Sequence, residues 1–162
     1  MAYQWDDSSL RSAVELHQRK VFALAVHLIG GDKDKAYDIA SGVFVDTLRA
    51  SFPLDTDNSL LIGLIRRTIE KCRDVKVVPS LDDSGFEGLS AEKRGSLRMI
   101  RASLQSLPFE VRTLLLLRDQ VHLPYKHISS VLGISENDAR IQTTQARVKL
   151  RKAVEEVIAH GR

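Results

Sequence analysis

Residues 107–152, LPFEVRTLLLLRDQVHLPYKHISSVLGISENDARIQTTQARVKLRK, constrain this chain more than any other stretch. Leu107 and Pro108 break whatever precedes them and open a helical run over 109–119, with Val111, Leu114, Leu115 and Arg118 at helical spacing. Pro124 at a first-turn position starts a short helix whose apolar side is Ile128, Val131 and Leu132. Gly133 ends it, as a residue tolerant of a left-handed conformation should. Ile134 then turns inward and Ser135 opens the last helix, with Asp138 three residues on completing a capping-box pattern. A short helix, a glycine turn and a longer basic helix spell a helix-turn-helix, a unit that reads DNA.

The last helix divides into two faces at about 100° per residue. Ala139, Thr143, Ala146, Leu150, Ala153 and Val157 form a small or apolar side suited to packing. Arg140, Ile141, Thr144, Arg147, Val148 and Arg151 form the opposite side. Arginine pairs bidentately with guanine or clamps phosphate, and threonine contacts base or backbone. Glu136 and Asp138 sit in the first turn, where carboxylates suit the helix dipole. Ile141 and Val148 suit thymine methyls or a protein partner.

Charge distribution supports the placement. The net charge is only +3, but residues 96–162 hold 11 basic against 6 acidic side chains, and residues 1–75 hold 10 against 11. The basic excess lies where phosphates would be met, and its modest size predicts salt-sensitive binding aided by a larger partner. Aromatic residues make up 6% of the chain, and glycine and proline are sparse, which favours long helices over sheets.

Upstream, Leu10, Val14, Val21, Ala25 and Leu28 mark a helix over 9–29 closed by Gly30 and Gly31. A second helix over 34–50 turns Ala36, Ile39, Ala40, Val43, Phe44 and Thr47 inward. Phe52, Pro53 and the polar run 55–58 separate it from a third, over 59–74. That helix buries Leu60, Leu61, Leu64, Ile65, Thr68 and Cys72 and leaves Arg66, Arg67, Lys71 and Arg73 outside. Three such helices make a small bundle. Periodicity stops from residue 77. Pro79, Ser80, Asp82, Asp83, Ser84, Gly85, Glu87 and Gly88 are loop chemistry, and Phe86 and Leu89 have no assigned partner. A further helix over 91–105 leads back to Leu107. The expectation is an all-α chain of two small helical domains, 1–76 and 96–162, joined by a flexible linker over 77–95, the second domain a helix-turn-helix.

Little points to catalysis. Cys72, alone in the chain, faces the apolar side of a helix and reads as a buried, inert thiol. His17, His27, His122, His127 and His160 form no zinc-protease pair, and His122 and His127 read as surface or capping residues around a helix start. Gly30 and Gly31 follow no strand, so they form no phosphate loop. No metal, cofactor or enzymatic activity is expected. Trp5 reads as a packing anchor within an acidic N-terminal segment that has no signal-peptide core, and no stretch is apolar enough to span a membrane, so a cytoplasmic protein is expected.

The arrangement resembles the extracytoplasmic-function group of bacterial RNA polymerase sigma factors. Leu107-Pro108, the run 114–118, Tyr125 with Ile128, residues 132–135, Ala146-Arg147 and Leu150-Arg151 resemble sigma domain 4. Gly31-Asp32, Ala36, Asp38, Ile39 and Val43-Phe44 resemble sigma domain 2. The resemblance implies that residues 1–76 bind core polymerase, through Asp38, Ile39, Val43 and Phe44, and melt the downstream promoter element. It implies that residues 96–162 read the upstream element through Tyr125, Lys126, Arg140, Ile141, Thr144, Arg147 and Arg151, and that an anti-sigma factor is a possible partner. The chain departs from the family at Tyr37, where an acidic residue is usual, and at Ser41-Gly42, where the family has Gln-Glu. It departs again at Gly63, Leu64 and Ile65, where strand-separating aromatics are common, and at Gln142, Thr144 and Gln145, often Arg or His. These departures fit an alternative: a sigma-like mimic or adaptor that binds an anti-sigma factor or regulator without initiating transcription. A stand-alone helix-turn-helix regulator is the third reading.

Overall fold

A computed structural model of the chain describes residues 6–50, 57–77 and 86–161. Trp5, Phe52 and Pro53, and the loop residues 79–85 lie outside the described residues, as does the side chain of Leu10. Among the described residues every regular element is helical. Helix α1 (Asp7–Leu28) starts where the Asp6 carboxylate accepts from the Ser9 amide at 2.6 Å. Beyond its end, Gly30 at φ +87° lets the Gly31 amide reach back to Val26 O at 2.8 Å. Helix α2 (Lys33–Arg49) is capped by Asp32 onto Lys35 N, and α3 is Asp57–Arg73.

The apolar stripes meet as the periodicity predicts. Val21, Ala40, Val43, Leu60 and Leu64 form one buried cluster among α1, α2 and α3. Leu24, fully buried, belongs to the α1 stripe as well. Thr47 and Thr68 are buried on helix interiors because each hydroxyl donates to the carbonyl four residues back, at 2.7 and 2.8 Å. Lys71 on α3 pairs with Asp46 on α2 at 2.8 Å.

The remaining helices are α4 (Ala91–Ser106), α5 (Phe109–Leu115), α6 (Tyr125–Leu132) and α7 (Glu136–His160), with a π-helical turn at Leu116–Gln120 between α5 and α6. Residues 91–95 are thus already helical. Helix α5 is shorter than the expected run over 109–119 because the chain there holds one residue too many for α-helical pairing. The Val121 amide bonds to Leu116 O, five residues back, at 2.9 Å. Helices α4, α5 and α6 all pack on α7. Leu107, Leu115, Ala146 and Ala153 form the cluster between them.

The halves flanking residues 77–95 share one core. Leu24, Leu28, Ile65 and Ile69 of the first lie in the same buried cluster as Leu114, Leu117, Val121 and Ile128 of the second. Burying a side chain of this size contributes about 1.5–3 kcal/mol. Polar groups tie the same seam. Arg66 on α3 donates to the Ser130 and Val131 carbonyls at 2.5 and 3.4 Å, and Arg73 meets Glu110 at 2.6 Å while lying over the Phe109 ring. Gln105 Nε2 donates to His27 O at 2.8 Å.

Candidate nucleic-acid interface

Helix α6 owes its shape to its ends. Pro124, immediately before the first helical residue, supplies extended backbone at φ −65° and no side-chain cap. Gly133 closes the helix at φ +67°, where the absence of a Cβ removes the strain of the left-handed region. The turn is locked by Ser129. Its carbonyl accepts from the Gly133 amide at 2.9 Å, and its hydroxyl donates to Ile134 O at 2.5 Å. Ile134 is half-buried against the central core. Ser135 then caps α7, accepting from the Asp138 amide at 2.9 Å.

Helix α7 sorts its side chains as expected for most of its length. Ala139, Thr143, Ala146 and Ala153 are buried and Leu150 is half-buried. Val157, expected on the packed side, is 37% exposed. A 25-residue helix is about 37 Å long and outruns the shorter helices beneath it. Arg140, Ile141, Thr144, Arg147, Val148 and Arg151 are all exposed, Ile141 at 47% and Val148 at 46%. Lys126 on α6 is exposed and Tyr125 half-buried.

Three of the sequence-predicted residues converge with two others. The guanidinium groups of Arg118, at 4.5 Å, and Arg140, at 4.9 Å, both lie over the Tyr125 ring. Arg118 is itself fixed by a 2.9 Å bond to Leu123 O. Arg147 forms a two-pronged pair with Asp119, Nε to Oδ2 at 3.2 Å and Nη2 to Oδ1. The Asp119 hydrogen bond raises the Arg147 pKa above its ordinary value, with the Tyr125 side chain adding to the shift. Asp119 was not identifiable from the sequence, because its orientation depends on the π-helical turn that carries it. Lys126, Ile141, Thr144 and Arg151 stand apart from this cluster.

The residues expected to face a polymerase are divided. Asp38 is exposed, Ile39 and Phe44 are half-buried, and Val43 lies wholly in the core, where its role is to hold α2 on α1 and α3. Beside them a groove of about 460 Å³ between α1 and α2 is lined by Val14, Phe22, Tyr37, Ala40, Ser41 and Phe44. Tyr37 is 67% exposed. Gly63, Leu64 and Ile65 are buried, so an aromatic ring at any of them would face the core in this arrangement.

The sequence expectation of an inert thiol matches Cys72, whose pKa burial pushes up to about 12. Among the described residues no group of three metal-ligating side chains converges. No helix among them is long and apolar enough to cross a membrane.

Residues 97–150, which run from α4 through α5 and α6 into the first part of α7, match the model of the family described as Sigma-70, region 4. Over 163 aligned residues the chain is 25% identical to the RNA polymerase sigma-H factor of Pseudomonas aeruginosa, covering 88% of this chain and 84% of that protein. Two solved structures share the fold. CnrH, in complex with the cytosolic domain of CnrY, superposes with a TM-score of 0.74 at 20% identity, covering 93% of this chain and 90% of CnrH. The sigma factor RpoE, in complex with the anti-sigma factor NepR from Bartonella quintana, gives 0.65 at 16% identity, covering 90% and 96%. Sigma factors are transcription regulators with no catalysis of their own. The chain is thus similar to bacterial RNA polymerase sigma factors over most of its length, with residues 97–150 matching sigma-70 region 4.

Proposed function

We propose that this chain directs core RNA polymerase to specific promoters. Residues 1–76 act as a sigma domain 2, binding core polymerase near Asp38, Ile39 and Phe44 and engaging the downstream promoter element. Residues 96–162 act as a sigma domain 4, a helix-turn-helix whose α7 enters the major groove at the upstream element. The observation that carries this reading is the outward face of α7: Arg140, Ile141, Thr144, Val148 and Arg151 stand exposed beyond a short helix and a left-handed glycine. Apart from Arg151, that face lies within the segment matching sigma-70 region 4. Basic and apolar groups on one helical face suit phosphates, guanine edges and thymine methyls. An anti-sigma factor is the further partner we infer, since the two similar solved structures named above are complexes, and the partner in one of them is an anti-sigma factor.

The test is in vitro transcription with core polymerase of the source organism over a library of promoter fragments. Defined starts sharing an upstream motif support the reading. Absence of co-elution with core at low salt overturns it. In that event the adaptor reading takes precedence, and it rests on α2, where exposed Tyr37 and half-buried Gly42 replace the acidic groups that the family resemblance leads one to expect.

A further inference from the structure

One ion pair at the edge of α7 goes beyond a list of DNA-facing residues. Arg147 is engaged side-on by Asp119, through Nε and Nη2. A guanidinium carries five N–H donors in a rigid fork. Two of them meet Asp119, so the Nη1 edge points away from the carboxylate. Both partners are about half exposed, at 48% and 46% of their side chains, so the guanidinium is reachable from solvent, with the Tyr125 side chain beside it.

The position of Arg147 on α7 decides what that edge can meet. Residues seven apart differ by about 20° around an α-helix and about 10 Å along it. Arg140 and Arg147 therefore stack along one flank, between the buried stripe of Ala139, Thr143 and Ala146 and the outermost residues Ile141, Thr144 and Val148. In a helix lying in a groove, the outermost residues reach base edges and the flank meets the sugar-phosphate wall. The local charge also suits an anion. Arg118, Arg140 and Arg147 surround Tyr125, and the carboxylates paired with them are Asp119 and, at 3.5 Å, Glu136.

We propose that Asp119 is a positioning residue, which holds Arg147 so that the edge not paired with Asp119 meets a DNA backbone phosphate. This rests on the DNA-reading assignment of α7. Unrestrained, an arginine surrenders much rotamer freedom on binding; held by Asp119, it meets the phosphate already oriented. The π-helical turn is what delivers the carboxylate, since it re-aims the residues that follow α5. A plain staple between that turn and α7 would be an exposed ion pair that adds little to folding stability and has no bearing on DNA.

The experiment measures binding of the full chain to a short mixed-sequence duplex by fluorescence anisotropy, across about 50–200 mM salt. Wild type is compared with D119A, D119N, D119E, R147A and the D119A/R147A pair. The expected result is that D119A and D119N weaken binding about three- to tenfold at low salt while Arg147 is still present, and lower the salt slope by about 0.9, the value for one phosphate. The double variant should bind no more weakly than R147A alone, and D119E should recover most of the loss. A thermal midpoint measured on each variant separates unfolding from lost orientation, and the isosteric D119N carries the argument if D119A melts early. Wild-type binding with D119A and D119N unchanged, tighter, or additive with R147A overturns the positioning role alone. No binding by wild type at low salt overturns the DNA reading and this role together.

Discussion

Arg112 donates through Nη2 to the main-chain oxygen of Leu28 at 3.3 Å, across 84 positions of sequence. Leu28 is the last residue of α1, where helical carbonyls lack intrahelical donors and carry partial negative charge. The Nη1 group of the same guanidinium donates to Gln105 O and Leu107 O at 3.2 and 3.3 Å, the joint between α4 and α5. One 5%-exposed arginine thus closes three backbone acceptors in both halves of the molecule. Burial lowers its pKa, and Glu110 partly offsets this.

Arg112→Met should therefore be costly despite conserving much of the side-chain volume. Leaving buried carbonyls unpaired costs about 1–3 kcal/mol each, partly relieved by relaxation, so a loss of roughly 3 kcal/mol is expected. For a chain of this size that is a fall of about 6–12 °C in thermal midpoint. Arg112→Lys, with a charge but no fork, should fall between. A midpoint within about 1 °C of wild type for Arg112→Met would sink this account of the seam.

Gly30 offers a second test of the same region. At φ +87° an L side chain is strained, and a Cβ there would sit 2.7 Å from Val77 Cγ1. Gly30→Ala should cost about 2 kcal/mol, combining left-handed strain with displacement of Val77. Urea denaturation checks it. An unchanged midpoint would mean that Val77 moves aside without loss and that the close approach is incidental.

Much of this was legible in advance, for identifiable reasons. The buried residues of α3 follow a clean 3.6-residue period, and Leu60, Leu64, Thr68 and Cys72 all fall inside. Ser135 and Gly133 are local signals whose chemistry acts within a few residues, so they read correctly. The outward face of α7 followed from one helix period. What failed was non-local. Arg112 looks like a surface charge until the Leu28 carbonyl is placed beside it. Asp119 faces α7 only because the chain widens into a π turn, which no side-chain pattern announces. The shared cluster joining Leu28 and Ile65 to Leu117 and Ile128 is likewise invisible to periodicity, which shows that a face is apolar but not what covers it.

His122 is a non-glycine residue in the left-handed region, at φ 60°, exposed in the connection before α6. Such a conformation costs roughly 1 kcal/mol for a residue with a Cβ. Part of that returns as unfolded-state entropy when glycine is introduced. His122→Gly should be neutral to about 0.5 kcal/mol stabilising, and His122→Val, β-branched, destabilising by about 1–2 kcal/mol. Calorimetric midpoints decide it. If valine is tolerated as well as glycine, the connection relaxes freely and imposes no conformational demand.

Stability should also fall with pH through His27. Its pKa lies below the ordinary 6.5, first because of burial and then because of Arg101 on α4. A depressed histidine stays neutral when folded, while the unfolded chain takes up a proton first as the pH drops. The contribution is thus fully present above about pH 6.5 and is lost as pH falls from there through the depressed folded value. Melting curves from pH 7.5 to 5 should show this decline, and His27→Gln should flatten it. An equal slope in both proteins would assign the acid sensitivity elsewhere.

The outward face of α7 makes the most discriminating prediction. Arg140 lies on the flank, held over Tyr125, whereas Ile141 is 47% exposed beside Thr144 at the outermost line of the helix. If α7 lies in a major groove, Ile141 meets base edges, where its apolar surface suits a thymine methyl. Ile141→Ala should then relax preference at one base pair of a selected sequence by several-fold, leaving binding to mixed-sequence duplex within about twofold. Arg140→Ala should weaken binding to all sequences alike and lower the salt slope, as loss of a phosphate contact does. The two effects separate in a selection from randomised duplexes carried out with each variant loaded on core polymerase. An Ile141→Ala protein that selects the wild-type motif unchanged would remove Ile141 from the reading surface. The exposed pair Ile141 and Val148 would then be better explained as a protein-binding face, which capture of a regulator by wild type but not by Ile141→Asp would establish.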